Sequence, residues 1–219
     1  MKQQRLALFD MDRTLVRKDT ATLLTRYRRE TGQSGPLDTL RVGVWVLEYT
    51  LGIANAERIA QKVLKAYRGI PEEQLHADGE ACFEAYVFEH ISERARATVR
   101  AHQQAGDFVA IVTSATRYTT VPVARELGVE HFACSELEVD ASGLLTGRHI
   151  DPLCYGEGKL KRVAGLVDLS GASLEDAVFY SDSITDLPLL ERVGTPVVIN
   201  PDLRLTRIAR QRHWRVEHW

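Results

Sequence analysis

The chain has 219 residues, 44% hydrophobic and 26% charged, enough apolar material for one large domain or a core carrying an inserted subdomain. Its 28 basic and 30 acidic side chains leave a formal net charge of -2, which argues against nucleic acid or an anionic membrane as a partner. Three cysteines, Cys82, Cys134 and Cys154, show no Cys-x-x-Cys spacing, which speaks against a disulfide framework or a zinc site and for reduced thiols in a cytoplasm.

Leu6-Ala7-Leu8-Phe9 is a short apolar run that ends in acids. That pattern predicts a buried parallel strand delivering carboxylates at its C-terminal edge, where open α/β sheets bind ligands. The strand starts so early that no signal peptide is expected, and no run reaches the roughly 18 apolar residues of a membrane span. Asp10 and Asp12 alternate and so share a face in strand geometry. Two such carboxylates repel, and a hard divalent ion with oxygen ligands, Mg²⁺ above all, resolves the conflict.

From Val16 to Glu89 the pattern is helical throughout. One helix is predicted over Thr20 to Glu30, followed by the turn Gln33-Ser34-Gly35-Pro36. Leu37, Leu40, Val44, Leu47 and Leu51 follow helical spacing, and Asn55 caps a helix over Ala56 to Tyr67. Pro71 opens another that runs to about His90. The apolar stretch Val42 to Ile53 reads first as core, then as a dimer surface or a substrate wall. Arg26, Arg28 and Arg29, the one tight basic cluster, read as a solvated helix face.

Beyond this stretch, strands and helices alternate. Ile91 to Ala105 is a helix capped by Ser92; Phe108 to Val112 is a strand ending in Thr113-Ser114-Ala115-Thr116. Thr119 to Leu127 is a helix with Pro122 in its first turn, and His131 to Ser135 a short strand. Leu137 to Asp140 and Leu144 to Ile150 form a hairpin around Ser142-Gly143. Lys159 to Leu166 is a helix after Gly156 and Gly158. Ala177 to Tyr180 is a strand ending in Ser181-Asp182-Ser183-Ile184-Thr185-Asp186, then come a short helix over Leu187 to Val193 and a strand over Thr195 to Ile199. The remainder, through Trp214 and Trp219, reads as a helix and a tail. The alternation implies an α/β fold with a parallel, doubly wound sheet.

Asp10-Met11-Asp12-Arg13-Thr14, Thr113 behind a buried strand, Lys159 at a helix start, and Asp182 with Asp186 come in the order of the haloacid dehalogenase-like hydrolases. From Leu6 to Asn200 the chain resembles that superfamily, and within it the phosphoserine phosphatase-like members of subfamily IB, whose last motif often reads Asp-Ser-x-Asn-Asp-Leu-Pro. The resemblance implies a Rossmann-like core over residues 1–16 and 91–219 and an all-helical C1 cap over 17–90. It implies Asp10 as a nucleophile forming an aspartyl-phosphate, and Asp12 as general acid and then base. Mg²⁺ would be held by Asp10, the Asp12 carbonyl and Asp182. Thr113 would donate to the phosphoryl group, with Ser114 its rival, and Lys159 would neutralise charge, with Lys161 its rival. Asp186 would orient Lys159 or a metal-bound water, and could also cap the helix from Leu187. Asp19 lies where such enzymes face a substrate amine, and Arg58 is the candidate for their carboxylate-binding cap arginine.

Two departures matter. Thr185 stands where relatives often carry Asn, and Thr113-Ser114-Ala115 stands where phosphoserine phosphatases usually have Ser-Gly-Gly. The expected activity is hydrolysis of a small phosphorylated metabolite, an amino or polyol phosphate, by a cytoplasmic monomer or homodimer. The alternative is a phosphotransferase or mutase using the same aspartyl-phosphate.

Overall fold

The structure, a computed structural model, describes residues 4–35 and 56–219, with the side chains of all of these except 56–60. The helix expected over Leu37 to Leu51, the Asn55 cap, the apolar stretch Val42 to Ile53 and the Arg58 side chain lie outside the described residues.

A seven-stranded sheet runs in the order β4-β3-β2-β1-β5-β6-β7. The first strand, β1 (Leu6–Phe9), is central and fully buried because it is apolar on both faces. It pairs in parallel with β2 (Phe108–Thr116), Phe9 opposite Ile111, and with β5 (Val178–Ser181), Phe9 opposite Tyr180. The chain thus proceeds outward on both sides of β1, through β3 (His131–Val139) on one flank and β6 (Thr195–Ile199) on the other. This is the switch point at which α/β sheets form a crevice.

Alternation along the strands divides the core. Ala7, Phe9, Ile111 and Tyr180 face the layer of α4 (Glu93–Gln104) and α5 (Arg117–Glu126), which contribute Val99 and Val123. Leu8, Ala110, Val112 and Phe179 face α6 (Glu157–Ser170), α7 (Leu187–Leu190) and α8 (Leu203–Gln211), which bring Val163, Leu189 and Leu205.

Between residues 17 and 90 the chain leaves the sheet and returns to its point of departure. Arg17 N–H donates to the His90 carbonyl (2.8 Å) and Ser92 N–H to that of Leu15 (3.0 Å). The described part of this insertion is helical: α1 (Thr20–Glu30), α2 (Ala56–Lys65), α3 (Glu72–Cys82), a π turn over Phe83–Val87 and a 3-10 turn over Phe88–His90. Asp19 caps α1, accepting from Thr22 N–H at 2.8 Å. A buried ion pair of 2.6 Å joins Arg28 of α1 to Asp78 of α3, so Arg28 is not the solvated residue its sequence cluster predicted. Two amides, Gln33 and Gln74, complete the Asp78 carboxylate (2.8 and 2.9 Å).

Several expectations change. The short strand at His131 and the first arm of the hairpin form one strand, β3, paired antiparallel with β4 (Leu145–Ile150), so one edge of the sheet is not parallel. Helix α5 starts at Arg117, which moves Pro122 into its interior. The ring there frees the carbonyl of Tyr118, and Gly79 of α3 packs against that oxygen: a Cβ on Gly79 would stand 2.1 Å from it. The C-terminal tail contains a further strand, β7 (Arg215–Glu217), parallel to β6. Three residues are too few to carry strand periodicity; the open edge of β6 supplies the pairing.

Candidate active site

The C-terminal ends of β1, β2 and β5 meet at one edge of the sheet. Asp10 follows β1 directly, and its backbone N–H donates to the carbonyl of Tyr180 at 2.8 Å, locking the two strand ends together. The loop then turns through Arg13, whose φ of 58° lies in the left-handed region. The Asp12 carboxylate accepts from the N–H of Thr20 at 2.9 Å, the start of α1, so the first turn of the insertion is tied to this loop.

Lys159 reaches the same point from α6. Gly158 is what lets the helix start there, because a Cβ at that position would lie 1.9 Å from the Leu153 carbonyl oxygen. The Lys159 ammonium is buried, at 2% exposure, whereas Lys161 points to solvent. Its Nζ donates to Asp10 Oδ1 at 2.7 Å and to Asp186 Oδ2 at 2.6 Å. Asp186 is held in turn by the hydroxyl of Ser181, which donates at 2.6 Å. Of the three roles expected for Asp186, the structure shows its contact with Lys159, while its side chain makes no capping bond to α7.

Charges at this edge are strongly coupled. Burial pushes the Asp10 carboxyl up to about 6, even against the pull of Lys159. Desolvation, then the charge of Asp19, pushes Asp12 up to about 8, so that it carries a proton near neutrality. Desolvation, then the charges of Asp10 and Asp186, pushes Asp182 up to about 8 as well. Burial alone would lower Lys159; the carboxylates of Asp10 and Asp186 outweigh it and hold the ammonium above the ordinary lysine range. The edge thus brings together an acid that holds its proton and a buried carboxylate beside a fixed cation.

Thr113 is fully buried, and its Oγ1 accepts from the N–H of Ala115 at 3.1 Å, which leaves its own O–H free to donate. Ser114 is exposed. Asp19 sits near Asp12 but spends Oδ1 on Thr22, accepting from both its N–H and its hydroxyl at 2.8 Å. Ser181 and Thr20 escaped the sequence reading. Ser181 ends an apolar strand just before an acid, which is a usable signal, whereas the Thr20 N–H is a backbone group and leaves no trace in sequence.

Asp10 and Asp182, whose proton affinity the charge of Asp10 raises, are hard oxygen donors that a divalent cation would stabilise. Among the described residues no three His, Cys, Asp or Glu side chains form a complete cage. A site of two carboxylates, completed by a carbonyl, water and a phosphate oxygen, is the arrangement Mg²⁺ favours over an all-protein cage.

The haloacid dehalogenase-like hydrolase family model matches residues 7–191. The chain is 29% identical over 217 residues to a histidinol-phosphatase of Neisseria meningitidis, covering 97% of this chain and 98% of that one. It is 31% identical over 214 residues to a phosphoserine phosphatase of Mycobacterium tuberculosis, covering 96% and 69%. A crystal structure from Bordetella pertussis, of a protein with unknown function, matches at a TM-score of 0.90 with 33% identity and covers 98% of each chain. A substrate-bound phosphoserine phosphatase shares the fold at a TM-score of 0.70 and 22% identity, covering 94% and 91%.

Proposed function

The chain belongs to the haloacid dehalogenase-like hydrolases, and from that membership and the geometry of its site we propose a Mg²⁺-dependent phosphomonoesterase acting through an aspartyl-phosphate on Asp10. The observation that carries the proposal is the bridge from Lys159 to Asp10 and Asp186 at 2.7 and 2.6 Å, a buried cation fixed beside the nucleophile where phosphate charge would arrive. Bound by Asp10, Asp182 and the Asp12 carbonyl, Mg²⁺ would offset the repulsion between the nucleophile and the phosphate.

Asp10 attacks phosphorus, and the new P–O bond to its carboxylate replaces the ester P–O bond. Asp12 gives its proton to the departing oxygen. It then takes a proton from the water that releases phosphate from Asp10. Thr113, with Ser114 as its rival, donates to the phosphoryl oxygens. In this reading residues 17–90 are a cap that excludes bulk water and selects the leaving group. The names of the two relatives and the closeness of Asp19 to Asp12 support a small phosphomonoester whose leaving group bears an amine, with Arg58 a candidate cap contact.

The test is phosphate release from a panel including phosphoserine, histidinol phosphate and polyol phosphates, with Mg²⁺ and with chelator, beside Asp10→Asn. Release that needs Mg²⁺ and is lost in the variant is expected. Strong release in chelator would overturn the mechanism, and transfer of labelled phosphate to an added alcohol faster than to water would redirect it to a phosphotransferase.

A further inference from the structure

On the sheet face covered by α4, three polar side chains form a chain that the reaction above does not use. Asp107 Oδ2 lies 2.6 Å from Nδ1 of His102, and Nε2 of His102 lies 2.9 Å from the hydroxyl of Tyr180. The carboxylate draws the imidazole proton to Nδ1, which leaves Nε2 to accept from the tyrosine O–H.

Tyr180 is the last residue before Ser181 and Asp182, and its carbonyl accepts the N–H of Asp10 at 2.8 Å. Its ring stacks on Phe9, the residue before Asp10, with centroids 4.6 Å apart and planes 5° from parallel. His102 meets both rings edge-on, at 5.8 and 5.7 Å. One residue is therefore gripped by its side chain from α4 and grips the nucleophile through its backbone. Phe9 and Tyr180 are registered opposite each other in the sheet, so a tilt of one ring moves both strand ends.

From this geometry we infer that His102, oriented by Asp107, is a positioning residue that acts through Tyr180 to set the strand ends carrying Asp10 and Asp182. The inference rests on the phosphatase reading for its kinetic consequence, though not for its structural one. Reacting groups must be held within a fraction of an ångström, so a side-chain contact that bears on both strand ends bears on the reaction. His102 also borders an open groove of about 640 Å³, lined in part by Arg5, Arg94 and Asp107, so shortening it seals no void into the core.

Three variants of the full chain test this. Tyr180→Phe keeps the ring stack and removes the hydroxyl, His102→Leu removes the acceptor, and His102→Gln restores one near the place of Nε2. With Mg²⁺ and the preferred substrate, Tyr180→Phe and His102→Leu should lower kcat on the order of tenfold with KM nearly unchanged, and His102→Gln should recover most of the loss. In two-dimensional NMR the Asp10 amide cross-peak should move in Tyr180→Phe and His102→Leu and return toward its place in His102→Gln. A stationary Asp10 amide overturns the inference whatever the activity, as does an unchanged kcat in His102→Leu when the wild-type protein is active. Absence of activity in the wild-type protein sinks the phosphatase reading alone, and the amide then decides the inference.

Discussion

Replacing Lys159 by Met removes the cation that bridges two buried acids, and the structure sets the size and pH dependence of the effect. Lys159 is 2% exposed and bonded to Asp10 and Asp186, so its loss strands charges that water cannot reach. Breaking a buried pair from one side costs about 3–5 kcal/mol unless the survivor is neutralised. Asp10 has that escape, because burial already raises it to about 6, and without Lys159 it rises further. Its folded pKa exceeds the unfolded value, so protonation favours the folded state and stability falls as pH rises through the folded pKa. In the wild-type chain that fall stops near pH 6; in the variant it continues. If the variant holds Asp10 protonated up to pH 8, the part of the loss that Asp10 contributes is two pH units, or about 3 kcal/mol, at pH 8 and close to zero at pH 5.5, where Asp10 is protonated with or without Lys159. For a chain of this size that is roughly 6–12 °C in Tm at pH 8. Thermal unfolding of metal-free wild-type and Lys159→Met protein, followed by circular dichroism at both pH values, reads the effect. Equal losses at the two pH values, or no loss at pH 8, would show that the ammonium is not balancing Asp10. Phosphate release by the variant should fall by about 10²–10³.

The metal-free protein should also lose stability between pH 5 and pH 8, since Asp12 and Asp182, both raised to about 8, hold protons in the folded chain that the unfolded chain has released. Mg²⁺ should raise Tm more at pH 8 than at pH 6, because Asp182 must give up its proton to bind it; a gain independent of pH would count against Asp182 as a ligand. Thr113→Val removes the acceptor for the Ala115 N–H, with an expected cost of about 1–3 kcal/mol in urea unfolding and a larger proportional loss in kcat than in stability. Gly79→Ala would drive a methyl group into the Tyr118 carbonyl and should separate α3 from α5, at about 1–3 kcal/mol; a fully stable variant would mean that the two helices do not touch there.

Much of this molecule was written in local pattern. An apolar run ending in acids fixes β1 and its polar edge, because a strand apolar on both faces must be buried on both and acids cannot follow it inside. The alternation of strands and helices fixes the doubly wound class, and Ser92 marks the start of α4 through the orphan N–H group it satisfies. What packing alone decided is of a different kind. Lys159 and Lys161 are two residues apart in one helix; the Gly-x-Gly before Lys159 favours it in sequence, and its burial against Asp10, 149 positions away, sets it apart from the exposed Lys161. Arg28 looks solvated beside Arg26 and Arg29 until Asp78 is brought to it. Pro122 is tolerated inside α5 while Gly79 lies on the carbonyl it frees. β7 exists because β6 offers an unpaired edge, and the chain from Asp107 to Tyr180 joins residues that share no motif. Sequence periodicity records which face of an element is apolar; which distant charge or edge meets that face is settled only when the layers close, because those contacts are made between elements.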